Sequence, residues 1–255
     1  MATFFGNITT GRHRSLTFLG MSDPQHVPQL PQEETDLIRA WHELGYETAR
    51  QEAANGERLV RCLGLDLMVP PEVLAPAPAV AEVLGRAVLS EAKRGRRVLD
   101  LGTGCGINGI LAAGRGCEVV AVDINPHAVA AAAANAVRNG VGERFRALES
   151  DVFSAVEGTF DLIVCSPPFR WFTPRDQLEA ATTDEGYRML RNMFASIGDH
   201  LAPQGRFLFF FGSSGDLAFA RTLMDRSGLR RTVVDRLERE RDGRLVEYIA
   251  YRLSR

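Results

Sequence analysis

The sequence predicts an α/β fold, a seven-stranded and mostly parallel sheet with helices on both faces, preceded by a small N-terminal cap. Three observations carry this. From Pro78 onward, short apolar runs of strand length alternate with segments of helical periodicity. Those runs are apolar at nearly every position, as expected of strands covered on both faces. With 255 residues and 45% hydrophobic content, the chain can bury one substantial core and a small appendage.

The first 32 residues read as irregular, with Pro24, Pro28 and Pro31 breaking any helix and Phe4, Phe5, Leu16, Phe18 and Leu19 as scattered anchors. Residues 33 to 50 set Leu37, Ile38, Trp41, Leu44 and Thr48 on one helical face, with Glu33 and Glu34 suited to the first turn. One amphipathic cap helix is therefore expected. Residues 58 to 69 alternate around Gly64 as a short hairpin, and Pro70, Pro71, Pro76 and Pro78 punctuate a linker. The boundary falls near residue 75: residues 1–75 form an arm, cap helix and hairpin expected on the substrate side, and residues 76–255 the cofactor-binding domain. Residues 1 to 57 either fold over the acceptor pocket or pack on the back of the sheet.

Within the larger domain, Val80, Val83, Leu84, Ala87 and Val88 predict a helix, and Arg97–Leu101, Val119–Asp123 and Leu162–Cys165 predict buried strands. A further strand precedes Asp151. Helices are expected at about 107–114 and 126–139, the second with Asn125 as N-cap, Pro126 in its first turn and Asn139-Gly140 as its stop. Tyr187, Leu190, Met193, Phe194, Ile197 and Leu201 give another helix, ended by Pro203 and Gly205. Phe207–Phe211 and Val246–Leu253 supply two late strands, with a helix at about 215–227, closed by Gly228, between the first of them and the Arg231–Leu237 segment.

Composition narrows the function classes. A formal charge of −2, from 30 basic and 32 acidic residues, exerts no global pull on nucleic acid or an anionic membrane. The arginines from Arg226 to Arg244 read as a solvated face. Cys62, Cys105, Cys117 and Cys165 have no metal-binding or redox spacing and read as buried thiols of a reducing compartment, and no metal is expected. No signal-peptide core or membrane span is legible, so the expected location is the cytoplasm.

The strongest local signal is Val98-Leu99-Asp100-Leu101-Gly102-Thr103-Gly104-Cys105-Gly106, a buried strand running into alternate glycines and then a helix. Glycines there let the backbone turn sharply and approach a ligand that a β-carbon would block. Gly104, Gly106 and Gly109 also satisfy the dinucleotide pattern, which keeps a nicotinamide or flavin reading open. Asp100 favours S-adenosylmethionine (SAM), since a carboxylate ending the first strand suits the charged amino group of a bound amino acid. Asp123, in the Asp123-Ile124-Asn125 turn, can accept both ribose hydroxyls, and Asp151-Val152 stands where an adenine amine would find an acceptor. The predicted fold is thus Rossmann-like.

Asp161 to Cys165 end in Ser166-Pro167-Pro168-Phe169, at the sheet edge where ligands bind. This tetrapeptide resembles the (Asn/Asp/Ser)-Pro-Pro-(Tyr/Phe) motif of methyltransferases acting on planar nitrogens. Ser166 offers a side-chain oxygen and Pro167 a carbonyl to two N–H groups of an acceptor, and Phe169 packs against its plane. Arg170, Trp171 and Phe172 add a cation and two aromatic faces that serve the acceptor mouth or pack a lid. Residues about 58 to 253 resemble the release-factor glutamine methyltransferases and the small-domain enzymes that modify ribosomal RNA guanine. The resemblance rests also on Leu63-Gly64-Leu65, Val73-Leu74-Ala75-Pro76, Asp184-Glu185-Gly186-Tyr187-Arg188 and Leu201-Ala202-Pro203-Gln204-Gly205. It implies SAM as cofactor and a protein glutamine as acceptor.

Two departures keep other acceptors open. Ala75-Pro76-Ala77-Pro78-Ala79 stands where the family has Arg-Pro-Glu-Thr, and Ser166 where the glutamine enzymes have asparagine. Alternatives are a small-molecule amine, an RNA guanine, a SAM-binding scaffold, or an enzyme that consumes SAM without methyl transfer. A protein or small-molecule partner is expected, and nucleic acid is not.

Overall fold

The alternation of apolar runs and helical periodicity folds as the sequence predicts. The computed structural model describes residues 26, 28 and 30–255. A long helix α1 (Gln32–Ala53) leads into a two-stranded hairpin, β1 (Arg58–Cys62) and β2 (Leu65–Val69). Then follow α2 (Pro78–Glu91), β3 (Arg97–Leu101), α3 (Ile107–Gly114), β4 (Glu118–Asp123), α4 (Pro126–Arg138), β5 (Phe145–Glu149) and β6 (Phe160–Cys165). A four-residue helix α5 (Gln177–Ala180), α6 (Arg188–His200), β7 (Leu201–Gly212), α7 (Leu217–Arg226), β8 (Arg230–Arg241) and β9 (Arg244–Ser254) complete the chain.

The main sheet has seven strands in the order β5-β4-β3-β6-β7-β9-β8. The first five run parallel, and β9 and β8 close the edge antiparallel. The chain moves outward from β3 to β5 and then returns to β6 on the other flank of β3. That reversal opens a crevice at the carboxyl ends of β3 and β6, where ligands bind in sheets of this kind. Leu101 is level with Val122 on one side and Cys165 on the other, and Asp123 is level with Glu149. Gly102, Ser166 and Ser150-Asp151 therefore leave the sheet along the same edge as Asp123.

Alternation along the strands sorts side chains to two cores. Leu99, Leu101, Phe207, Phe209 and Phe211 face α6 and α7, and Val98, Leu208 and Phe210 face α2 and α3. The β1–β2 hairpin joins the second core through Cys62, Leu67 and Val69. Asn135 fixes it there, accepting from the Met68 N–H and donating to the Met68 carbonyl at 2.8 and 2.9 Å. The hairpin thus packs on the face of the sheet covered by α2, α3 and α4, while α1 lies over Phe172 after the Ser166 turn. All four cysteines are free and buried, and burial pushes Cys105 up to about 12. Two expectations shift in detail. β7 begins at Leu201, so Pro203 to Gly205 form an irregularity within a strand rather than a stop. Helix α5, not anticipated, starts from an Asp176 side chain that accepts from the Glu179 N–H. Phe4 to Leu19 lie outside the described residues.

Candidate active site

Along the crevice edge the glycine loop comes first. Gly102 and Gly104 hold φ of +71° and +54°, and the space where a β-carbon would project from either is open. Such a cradle lets ligand atoms approach the backbone, and left-handed φ excludes most side chains. Two carboxylates set the loop's shape. Asp100 is 1% exposed; one of its oxygens accepts from Thr103 Oγ1 at 2.6 Å and from the Gly109 N–H at 2.9 Å. Burial pushes Asp100 up to about 6, with those two hydrogen bonds working against the rise and the Asp123 charge adding to it.

Asp123 accepts from the Gly104 N–H at 2.9 Å and the Asn125 N–H at 3.0 Å. Its pKa is raised by burial, against the pull of those N–H groups. Next to it, Ile124 is 56% exposed, an apolar side chain that nothing in the fold requires at the mouth of a crevice. Asn125 caps α4 by accepting from the His127 N–H and ties the loop after β2 through the Glu72 carbonyl. Asp151 is held by Arg188 Nη1 at 2.9 Å, and Val152 adopts φ +53°, rare for a β-branched residue. Both border a cleft of about 210 Å³ that Phe153, Ser154, Asn192 and Ser196 complete.

These residues fit a nucleoside carrying an amino acid. An open glycine cradle, a carboxylate at the second strand end and an exposed apolar neighbour are the donor set for a sugar, its base and a charged tail. Asp100 lies behind the loop, so it shapes the cradle that the tail would enter.

Ser166 follows β6 directly; it is exposed, and its hydroxyl has no hydrogen-bond partner among the described residues. Pro167 is buried, and the Phe169 ring is half-buried against Phe210, Phe211 and Tyr248. The Phe169 carbonyl accepts from Tyr187 Oη at 2.6 Å, and that oxygen accepts in turn from the Asp216 N–H at 2.8 Å. Gly215 is obligatory here, since a β-carbon on it would stand 1.9 Å from the Phe169 carbonyl oxygen.

The three residues after the tetrapeptide separate. Trp171 and Phe172 are 9% and 8% exposed and pack under α1, Phe172 against Arg39 at 4.1 Å. They are covered by the cap, as aromatics of this size generally are. Arg170 alone borders a cavity beneath α1, together with Trp41 and Tyr46. Sequence reasoning missed the pin that holds α1 down. Glu179, 3% exposed, accepts from Arg175 and from His42 Nε2 at 2.7 Å. Burial would raise Glu179, but these partners outweigh it and hold the carboxyl at about 2. Asp176-Gln177-Leu178-Glu179 has the spacing of a capping box, a signal that could have found α5.

A sequence profile described as methyltransferase small domain matches residues 81–217. A release factor glutamine methyltransferase from Cereibacter sphaeroides is 33% identical over 227 residues, 82% of this chain and 78% of the relative. One from Koribacter versatilis is 35% identical over 171 residues, 59% of each chain. The chain covers 59% and 62% of two such relatives matched over their shared cores. Among solved structures, the T. thermophilus 16S rRNA N2 G1207 methyltransferase, in complex with AdoMet and guanosine, aligns with a TM-score of 0.55. It is 25% identical, over 78% of this chain and 50% of that one. Because the profile spans more than half the sequence and runs from α2 through the glycine loop and the Ser166 turn to the start of α7, the chain belongs to the methyltransferase small domain family.

Proposed function

We propose that this chain is a SAM-dependent methyltransferase that modifies a planar nitrogen, of the kind carried by a protein glutamine side chain. The observation that carries it is the unengaged Ser166 hydroxyl on the crevice edge that also bears the glycine cradle and Asp123. Release factor glutamine methyltransferases among the relatives support the glutamine acceptor. Gly102, Thr103, Gly104 and Gly106 would hold the cofactor, Asp123 its ribose, Ile124 and Val152 its base, Asp151 the base's amine, and Asp100 would set the loop for the charged tail. When bound, SAM supplies an activated methyl on a sulfonium, which leaves without assistance.

The chain's own task is then positioning. Ser166 Oγ and the Pro167 carbonyl accept from the N–H groups of the acceptor, Pro168 stiffens the turn, and Phe169 limits the nitrogen plane, so that the lone pair points along one direction. Tyr187 holds the Phe169 carbonyl and keeps this turn in register. No strong base is required, because the proton lost from the nitrogen is acidified once the methyl has transferred. Helix α1 lies over Phe172 and Arg170 and excludes water from the acceptor side. No helix among the described residues is long and apolar enough to cross a membrane, and we infer a cytoplasmic enzyme with a protein or small-molecule acceptor.

Labelled-methyl transfer tests this against purified release factors, ribosomal RNA and a metabolite extract in parallel. Label is expected on nitrogen, with Ser166→Ala slower by roughly tenfold, the worth of one hydrogen bond. Label on oxygen or carbon, or a Ser166→Ala enzyme as fast as wild type, overturns the reading.

A further inference from the structure

Between α1 and the segment after Ser166 lies a cavity of about 120 Å³, bordered by Trp41, Tyr46, Leu74, Arg170, Leu178 and Arg241. Its charge is one-sided. The Arg170 Nε is buried without a hydrogen-bond partner among the described residues, and the side chain's one hydrogen bond is a long 3.4 Å contact to Ser214 Oγ. Arg241 reaches the Trp41 carbonyl at 3.4 Å and lies 5.0 Å from the Trp41 ring centre. Among the described residues, neither guanidinium meets a carboxylate.

The acids nearby are spent elsewhere. Glu179 is taken by Arg175 and His42, Asp242 accepts from Trp41 Nε1, and Asp176 accepts from Tyr46 Oη. Burial, the largest influence on His42, takes it below the ordinary imidazole range, with the Glu179 hydrogen bond opposing and Arg170 adding to the effect. A buried guanidinium nitrogen with no partner among the described residues, facing one small space together with a second, half-buried guanidinium, is unfavourable unless an anion completes the site.

The remaining walls say which anion. The Thr182 and Tyr46 hydroxyls already donate to the Glu179 carbonyl and to Asp176, so the guanidiniums are the free donors. Leu74, Leu178 and Trp41 are apolar. Two guanidinium forks suit an oxyanion, and the apolar walls beside them suit the short carbon skeleton of a planar carboxylate better than a bare phosphate, which would leave them facing polar oxygens. Two of its walls are joined to the crevice through the chain. Arg170 follows Phe169 directly, and Leu74 belongs to the loop whose Glu72 carbonyl accepts from Asn125 at 2.8 Å.

We propose that this cavity is a carboxylate subsite for the acceptor, Arg170 and Arg241 binding the carboxylate while Trp41, Leu74 and Leu178 cover the carbons attached to it. The assignment rests on the reading above that the acceptor is presented at Ser166. The carboxylate comes either from an acidic side chain near the modified residue of a peptide or from a free carboxylic acid.

Carbon-13 acetate, titrated into the full chain and followed by the broadening of its carboxyl resonance at constant ionic strength, is the direct probe. Saturable binding is expected, weakened at least tenfold in both Arg170→Met and Arg241→Met. Because Arg170→Met removes an unpaired buried charge, it is expected to melt no lower than wild type; Arg241→Met, at the β8–β9 turn, gives the same readout from another element. Acetate binding unchanged in both variants, or inorganic phosphate displacing acetate at lower concentration, overturns the subsite. Asp23 is the one carboxylate within residues 1–25. Unchanged acetate affinity in Asp23→Asn is expected, and an affinity gain would show that the chain fills the site itself. Paired assays of methyl transfer to glutamine peptides with and without a neighbouring glutamate, and to free amino acids, separate the two sources. S-adenosylhomocysteine binding by calorimetry should be unaltered in both arginine variants. If wild type fails to bind S-adenosylhomocysteine but binds acetate, the methyltransferase reading falls and the subsite remains; the reverse result removes the subsite alone.

Discussion

Asp100 and Asp123 end adjacent strands, yet burial gives them different work. Asp123 keeps one side to the crevice, so Asp123→Ala should weaken binding of SAM and its demethylated product by about 1.5–3 kcal/mol through lost charge-assisted hydrogen bonds. Calorimetry showing equal affinity would remove its assigned role. Asp100 is buried, and its folded-state pKa, about 6, lies above the ordinary 3.8. A carboxyl shifted that way favours the folded state while protonated, and that contribution is lost as pH rises through about 6. Asp100→Asn keeps an oxygen for Thr103 and Gly109 without the charge. It should stabilise the chain at about pH 7.5 by on the order of 1–3 kcal/mol. The gain should shrink as pH falls toward about 4, as denaturant unfolding across that range can check. Sequence alone located both carboxylates from their strand-end positions. It assigned Asp100 to a bound amino group and Asp123 to a ribose, but the burial of Asp100 behind the loop was not legible, because it depends on how β3 is flanked by β4 and β6.

At the scale of elements, the turn bearing Ser166 is held less by its own prolines than by what leans on it. Gly215, in the turn before α7, lets the backbone close against the Phe169 carbonyl. Gly215→Ala should displace that turn, destabilising the chain by about 1–3 kcal/mol and slowing turnover more than it alters SAM affinity; melting and kinetics measured together would show an effect on stability alone if Phe169 plays no part in catalysis. The strands and long helices were legible because period and caps suffice to define them: Asn125-Pro126 starts α4, and the run from Val98 to Leu101 reads as a buried strand. The fate of Trp171 and Phe172 was not legible. Whether an aromatic lines a mouth or roofs a core depends on α1 crossing over it, a contact across more than 100 residues of sequence. The same is true of the Glu179–His42 pin.

For the molecule as a whole, the question is how the N-terminal region communicates with the chemistry. His26 lies against Trp171, Tyr187 and Phe219, with its Nε2 3.2 Å from the Asp216 carboxylate. Tyr187 in turn holds Phe169, so removing residues 1–30 takes away a neighbour of the acceptor turn and none of the cofactor residues. That deletion should raise the acceptor's KM or abolish turnover while leaving SAM affinity within severalfold; unchanged kinetics would exclude a lid. The fold class was readable because a parallel sheet imposes its signature along the whole chain, whereas the contacts among α1, the 170–184 segment and the β8–β9 turn join residues far apart in sequence and were not. The bridge between Arg170 and Thr183 gives that division a further meaning. Two backbone hydrogen bonds, from Arg170 N–H to the Thr182 carbonyl and from Asp184 N–H to the Arg170 carbonyl, knot the ends of residues 171–182 together. Apart from the buried Trp171, Phe172, Leu178 and Glu179, a stretch tied off at its base can be rewritten while the strands that carry the donor machinery keep their register. Descendants of this chain thus have a place to acquire new acceptors by exchanging one tethered cassette, leaving the glycine loop and its carboxylates untouched.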